Sequence, residues 1–328
     1  MTDRTGPALV VTAHGGTDVL AVEERPAAEP GPGEVLVEVA AAGVNFLDVY
    51  QREGVYPTKP PFVGGNEGAG TVVATGEGVE TLHPGNRVAW PNSMGSAARF
   101  AAIPASALVL VPEGVDLETA AAVMLQGLTA HYLTTSTHAV QPGDVALVHA
   151  AAGGVGQLLV QQVRARGGSV VATAGGPAKC ETVRALGAEH VIDYREVDDL
   201  AQEVRRLTGG RGVDVAYDGV GKDTFDASLA SLRPRGMLVL FGAASGQVPP
   251  FDIQRLNAGG SLFLTRPMLG HHLATPEELQ WRAGEVLGAI ADGSLQVAIG
   301  GRYPLAEAAS AYDDLEGRRT QGKLLLIP

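Results

Sequence analysis

The sequence predicts an α/β protein in which a mostly antiparallel barrel is joined to a doubly wound parallel sheet, and three observations carry that prediction. From Gln126 to about Thr265, short apolar runs alternate with helical patterns, as parallel strands joined by crossover helices require. Before residue 125 the chain holds short β-rich runs cut by Pro and Gly turns, with little helical periodicity. At 328 residues the chain exceeds one ordinary domain and can bury two cores.

The alternating half is organised around residues 144–179. Val145-Ala146-Leu147-Val148 follows the turn signal Pro142-Gly143 and is too short for a helix, so it reads as a buried strand. The small-residue loop Ala151-Ala152-Gly153-Gly154-Val155-Gly156 leads into Val155, Leu158, Leu159 and Val163, one face of a helix closed by Gly167 and Gly168. A second strand follows at 169–173. This unit sets an anion against a helix N-terminus, where unpaired N–H groups and the helix dipole favour negative charge. It is a variant of the dinucleotide fingerprint G-x-G-x-x-G: Ala151 replaces the first glycine, while Gly153 and Gly156 keep the other two places. A site for NAD usually has an acid about 20 residues past the loop to hold the ribose 2′-hydroxyl. Here Thr173-Ala174-Gly175-Gly176-Pro177-Ala178-Lys179 has no acid and offers a lysine, which suits a 2′-phosphate and therefore NADPH.

Further strands are expected at 191–193, 213–217, 237–241 and 261–265, with helices beginning near Gly154, Ala178, Asp198 and Lys222. In the first segment, Val35, Val37 and Val39 mark a strand at 34–39 after Pro30-Gly31-Pro32-Gly33. Thr71-Val72-Val73, Arg87-Val88-Ala89-Trp90 and 107–111 are further candidates, and 45–51 reads as a short helix. Asp116 is the N-cap signal for an apolar helix at 117–124. Thr275-Pro276-Glu277-Glu278 is a capping box with proline at the first helical position, opening a helix to about Ala291. A last helix at 304–316 and a terminal strand at 323–327 are expected to return to the first domain. The expected organisation is a discontinuous domain of residues 1–125 and 268–328 and a dinucleotide domain of residues 126–267.

The formal net charge of −12 argues against nucleic acid or an anionic membrane as a partner. No run of 18 apolar residues is free of strongly polar side chains, so a soluble, cytoplasmic protein is expected. The single cysteine, Cys180, excludes an intrachain disulfide and a cysteine-based structural zinc site, and reads as an idle helix thiol.

Over nearly its whole length the chain resembles the bacterial quinone oxidoreductases of the zeta-crystallin type, within the medium-chain dehydrogenase/reductase superfamily. The matching segments include His14-Gly15-Gly16, Gly43-Val44-Asn45-Phe46-Leu47-Asp48-Val49-Tyr50, Gly127-Leu128-Thr129, 149–156, Asp193-Tyr194-Arg195-Glu196, Tyr217-Asp218-Gly219-Val220-Gly221, Phe241-Gly242, Thr265-Arg266-Pro267 and Thr320-Gln321-Gly322. The resemblance implies a GroES-like barrel, a Rossmann domain, NADPH, a quinone substrate and a homodimer, with residues 237–265 as the interface. It places Asn45, Tyr50 and Thr129 by the nicotinamide, and Ala152, Gly153, Gly154 and Val155 by the diphosphate. Gly175, Lys179 and Tyr194 fall at the adenosine 2′-phosphate, and Gly219, Phe241, Gly242, Arg266 and Gly322 along the rest of the cofactor. A related enzyme has serine at Gly219, where this chain offers only backbone. Asn45 and Tyr50 are the expected catalytic residues, donating to the developing oxyanion.

The superfamily's zinc enzymes carry Gly-His-Glu in the barrel and two cysteine ligands; this chain reads Gly65-Asn66-Glu67 and lacks those cysteines, so no metal is expected. Adjacent His271 and His272 read as a solvated loop pair. Alternatives within the same resemblance are NADPH-dependent reduction of an enal or enone double bond, and a non-catalytic NADPH-binding protein.

Overall fold

The computed structural model describes residues 4–328. It divides into two compact units: Thr129–His272, and a unit that ends at Leu128 and resumes with Leu273–Pro328. Both divisions lie a few residues beyond the expected ones. The helix expected at 117–124 runs on over Leu117–Tyr132 and passes into a π-helical turn, Leu133–Thr137. Gly127 does not break it, because a Cβ there would stand 2.6 Å from a Val123 methyl and 3.0 Å from a Val286 methyl; the glycine allows close helix packing. At the other division, the His272 ring stacks on Tyr132 with centroids 4.1 Å apart and planes 8° from parallel, keeping the turn Leu269–His272 with the second unit. His272 is therefore a packing residue and not half of a solvated pair.

The second unit is a six-stranded, all-parallel sheet in the order His190–Asp193, Ser169–Ala174, Val145–Val148, Val213–Asp218, Leu232–Leu240, Phe263–Thr265. Strand order reverses between Val145–Val148 and Val213–Asp218, which sets the topological switch point beside the small-residue loop. Val213–Asp218 is buried throughout, as a strand covered on both faces must be. Leu147, Val171, Ala216 and Leu238 form the core with Phe225 and Leu229 of the helix Phe225–Ser231.

The first unit carries a seven-stranded sheet in the order Ile299–Pro304, Lys323–Ile327, Glu34–Val44, Glu67–Thr75, Arg87–Trp90, Val109–Leu110, with Phe100–Pro104 also paired to Glu34–Val44. All of its pairings are antiparallel except that of Ile299–Pro304 with Lys323–Ile327. Irregularities after Leu36 and after Val39 bend the long strand, the device that curls a sheet into a barrel. Its inward residues Val35, Val37 and Val39 meet Val72, Val88, Trp90, Ile103 and Leu324 in one core. A second sheet pairs Leu20–Pro26, Thr5–Val11 and Phe62–Val63. The sequence pattern missed Thr5–Val11 because Gly6 and Pro7 read as turn residues. Pro7 is tolerated because Phe62–Val63 pairs only with Val10 and Val11. The helix Pro276–Ala291 starts where the capping box predicts, with Thr275 Oγ1 accepting from Glu278 N. Among the described residues no helix is long and apolar enough to cross a membrane.

Candidate active site

In the parallel-sheet unit, the backbone leaves Val145–Val148 through Ala150, whose φ of +48° is left-handed despite its Cβ. Gly153 N donates to Ala150 O at 2.9 Å and closes the turn, and Gly153 caps the helix Gly154–Ala165. A Cβ on Gly156 would stand 2.4 Å from Ala150 O and 2.7 Å from Ala151 Cα, so only glycine lets the helix sit on this loop. Ala151 and Ala152 are buried, whereas Gly153, Gly154 and Val155 are half-buried. The first-turn N–H groups that a helix cannot satisfy internally thus start at a surface of small residues, the arrangement that accepts a diphosphate.

The end of the next strand, Ser169–Ala174, is shaped by Gly175 and Gly176. The Tyr194 ring fills the space of a Gly175 side chain, its Oη only 2.4 Å from where a Cβ would be. Gly176, with φ +92°, caps the helix Pro177–Ala185, which carries Lys179 in its first turn. The nearby acid, Asp193, is engaged with backbone: Gly176 N donates to Oδ2 at 3.0 Å and Arg195 N to Oδ1 at 3.1 Å. These two bonds hold its carboxyl below the ordinary range. Arg195 is a residue that the sequence reading passed over; its Nη1 is 3.2 Å from where a Gly176 Cβ would stand. Two glycines, the Tyr194 phenol and the Arg195 guanidinium therefore meet at the start of the helix that carries Lys179, with the Asp193 carboxylate engaged by backbone N–H groups.

Gly219 and Gly242 pack against each other, a Gly242 Cβ falling 2.4 Å from Gly219 O. The Phe241 ring occupies the space of a Gly219 side chain at 2.8 Å, so a serine at this position would require the ring to shift. Arg266 donates from Nη1 to Leu240 O at 3.0 Å, pinning its guanidinium at the end of Leu232–Leu240. Thr129 is buried in the helix Leu117–Tyr132.

In the barrel unit, Asn45 caps the helix Phe46–Arg52, and its backbone N–H donates to Asp48 Oδ2 at 2.8 Å. Tyr50 lies on this helix between two rings, 6.2 Å from Phe46 and 5.5 Å from Tyr56. Asn45 is turned inward. Its Nδ2 donates to Glu67 Oε1 at 2.8 Å and to Gly43 O at 3.3 Å, while its Oδ1 accepts from Lys323 Nζ at 2.7 Å. A lysine only donates and a carboxylate only accepts, so this orientation is forced, and both amide hydrogens are used. Lys323 also pairs with Glu67, both side chains almost wholly buried, and Glu67 Oε2 accepts from Leu125 N at 2.6 Å. Gly322, just before that lysine, has φ +67° and no room for a Cβ, which would stand 2.3 Å from Ala298 O.

Asn66, the position of the zinc enzymes' histidine, donates to Asp48 Oδ1 at 2.6 Å and to Gln51 Oε1 at 2.7 Å. Burial pushes the Asp48 carboxyl up to about 6, against the Asn66 and Asn45 hydrogen bonds and the Lys323 charge. No group of three or more His, Cys, Asp or Glu side chains among the described residues is placed to hold a metal. The residues present do not fit a zinc site.

Comparison with known proteins matches residues 31–142 to the alcohol dehydrogenase GroES-like domain and residues 154–283 to the zinc-binding dehydrogenase domain. A quinone oxidoreductase of Pseudomonas aeruginosa is 43% identical over 318 residues, covering 96% of this chain and 98% of that one. The chain belongs to the quinone oxidoreductase family of medium-chain dehydrogenases/reductases. Within that family, the Escherichia coli quinone oxidoreductase solved in complex with NADPH superposes with a TM-score of 0.96 at 39% identity, covering 99% of this chain and all of that one. A 2-haloacrylate reductase of a Burkholderia species is 41% identical over 329 residues, covering 98% of each chain. The quinone oxidoreductase match spans both domains, so the GroES-like and Rossmann architectures expected from the sequence are the observed ones.

Proposed function

We propose that the chain is an NADPH:quinone reductase that works without zinc. The observation that carries this reading is the acid-spent, cationic rim around Gly175 and Gly176 in a family whose Escherichia coli member is solved with NADPH. Bound NADPH supplies the hydride. Gly153, Gly154 and Val155, with Ala152 behind them, take the diphosphate on the helix N-terminus. Lys179 and Arg195 supply charge to the 2′-phosphate beside the Tyr194 phenol and Gly175. Thr129, Gly219, Phe241, Gly242, Arg266 and Gly322 serve the remainder of the coenzyme.

Reducing a quinone places negative charge on an oxygen, which requires a hydrogen-bond donor and no Lewis acid. Tyr50 fills that role. Its phenol carries an O–H that can donate to a developing oxyanion. Asn45, with both amide hydrogens engaged, is a positioning residue that fixes the first turn of the helix bearing Tyr50 and touches no substrate. The resemblance to the 2-haloacrylate reductase supports a second reading, an activated carbon–carbon double bond as acceptor. The edge strand Phe263–Thr265, with Phe263 56% exposed, supports homodimer formation by sheet extension.

Competing a quinone against an enone and 2-chloroacrylate in one NADPH-oxidation assay tests the acceptor. Quinone should be consumed first and suppress the other two; preferential loss of an unsaturated acid or ketone would replace the first reading with the second.

A further inference from the structure

Beneath the loops assigned to the coenzyme lies a row of buried polar side chains that the reaction does not use. Thr173, His149, Ser228 and Asp218 are each at most 2% exposed. His149 Nδ1 is 3.0 Å from Thr173 Oγ1, and its Nε2 is 2.9 Å from Ser228 Oγ. Ser228 Oγ is in turn 2.6 Å from Asp218 Oδ2. Asp218 also accepts from Val220 N, Gly221 N and the Thr224 hydroxyl.

These contacts fix the direction of every bond. A carboxylate ringed by donors only accepts, so the one hydroxyl proton of Ser228 goes to Asp218. Ser228 Oγ must then accept from His149, which places the imidazole proton on Nε2. A neutral imidazole has no second proton, so Nδ1 accepts from the Thr173 hydroxyl. Burial holds His149 below the ordinary imidazole value, opposed by the Asp218 charge, and so favours the neutral ring that this order requires.

The row crosses the ends of three adjacent strands, Ser169–Ala174, Val145–Val148 and Val213–Asp218. Each end leads into a loop assigned to the coenzyme: residues 175–176, 150–156 and 219–221. The middle loop begins with the left-handed Ala150, held between two backbone bonds, His149 N to Tyr217 O at 3.1 Å and Ala151 N to Thr173 O at 2.9 Å. Helix Phe225–Ser231 enters through Ser228, tying the loop after Asp218 to the same frame.

We propose that Thr173, His149, Ser228 and Asp218 form a one-directional hydrogen-bond row that sets the spacing of the three coenzyme loops, with His149 in its Nε2–H form as the central positioning residue. The inference rests on the NADPH reading above. It assigns these groups to coenzyme affinity and not to hydride transfer.

The test combines NADPH titration by fluorescence, steady-state kinetics and nitrogen NMR of the histidine-labelled protein. Ser228→Ala and His149→Phe should raise the NADPH dissociation constant about tenfold, with kcat at saturating NADPH within about twofold of the unaltered protein. His149→Gln, whose amide both donates and accepts, should recover most of that affinity. The NMR spectrum should show the Nε2–H tautomer in the free protein. An unchanged NADPH constant in folded Ser228→Ala, or an Nδ1–H tautomer, would overturn the proposal while leaving the coenzyme assignment standing. Failure of the unaltered protein to bind NADPH would overturn the coenzyme assignment and the positioning role with it, whatever the tautomer.

Discussion

The barrel unit and the parallel-sheet unit each bury a polar cluster next to residues assigned to the reaction, but they use different currencies of interaction. In the barrel the cluster is ionic: Lys323 faces Glu67, Asp48 lies close by, and Asn45 is held between them. In the parallel-sheet unit it is a file of neutral donors and acceptors ending on the single carboxylate of Asp218. A buried ion pair must offset a large desolvation cost, so it is sensitive to loss of either partner and to pH. A hydrogen-bond file carries less charge and loses less when cut, but every member has one permitted orientation. The ionic cluster therefore governs whether the barrel folds around Tyr50, whereas the neutral file governs how accurately the coenzyme loops are spaced.

The largest effect should come from cutting the ion pair. Lys323→Met leaves Glu67 buried without its cation and should cost about 3–5 kcal/mol in denaturant unfolding. Adding Glu67→Gln should recover most of that loss, and a double variant no better than the single one would show that the lysine acts through something other than Glu67.

Asp48 sharpens the contrast through pH. Its native value of about 6 lies above the ordinary 3.8, so the folded state holds the proton more tightly than the unfolded state. Its stabilising contribution is complete below about pH 4 and is lost as pH rises through 6, about 3 kcal/mol at 1.4 kcal/mol per pH unit. Asp48→Asn should flatten that part of the stability profile; a profile unchanged by the substitution would remove Asp48 as the titrating group.

Tyr50→Phe should lower kcat for quinone reduction about tenfold to a hundredfold with NADPH affinity unchanged. Equal turnover would reduce Tyr50 to a wall of the aromatic group with Phe46 and Tyr56. Lys179→Ala should weaken NADPH binding about tenfold, NADH binding hardly at all, because the lost contact is to a phosphate that NADH lacks. Parallel losses for both coenzymes would end that assignment.

Much of this arrangement was legible in the residues because it is local. The small-residue loop, the acid-free segment to Lys179 and the capping box at Thr275 are written in consecutive positions, and each lies where its pattern predicts. The ionic cluster was not legible, since Glu67 and Lys323 are 256 residues apart and Lys323 reads as the polar start of an apolar strand. For the same reason Asn45 was expected to donate to substrate, when its amide hydrogens belong to Glu67 and Gly43. Arg195 stood in a recognised segment, but only the backbone of Gly176 reveals what its guanidinium faces. His149 was likewise in view, and its role depends on Ser228 and Thr173 arriving from two other elements.

Whether this reductase draws on the phosphorylated coenzyme for quinones is decided by following NADPH and NADH oxidation side by side with a single benzoquinone. The structure predicts one hydroquinone formed per NADPH consumed and a kcat/KM at least about tenfold lower with NADH. Equal efficiency with both coenzymes, or NADPH consumption without hydroquinone, would contradict it.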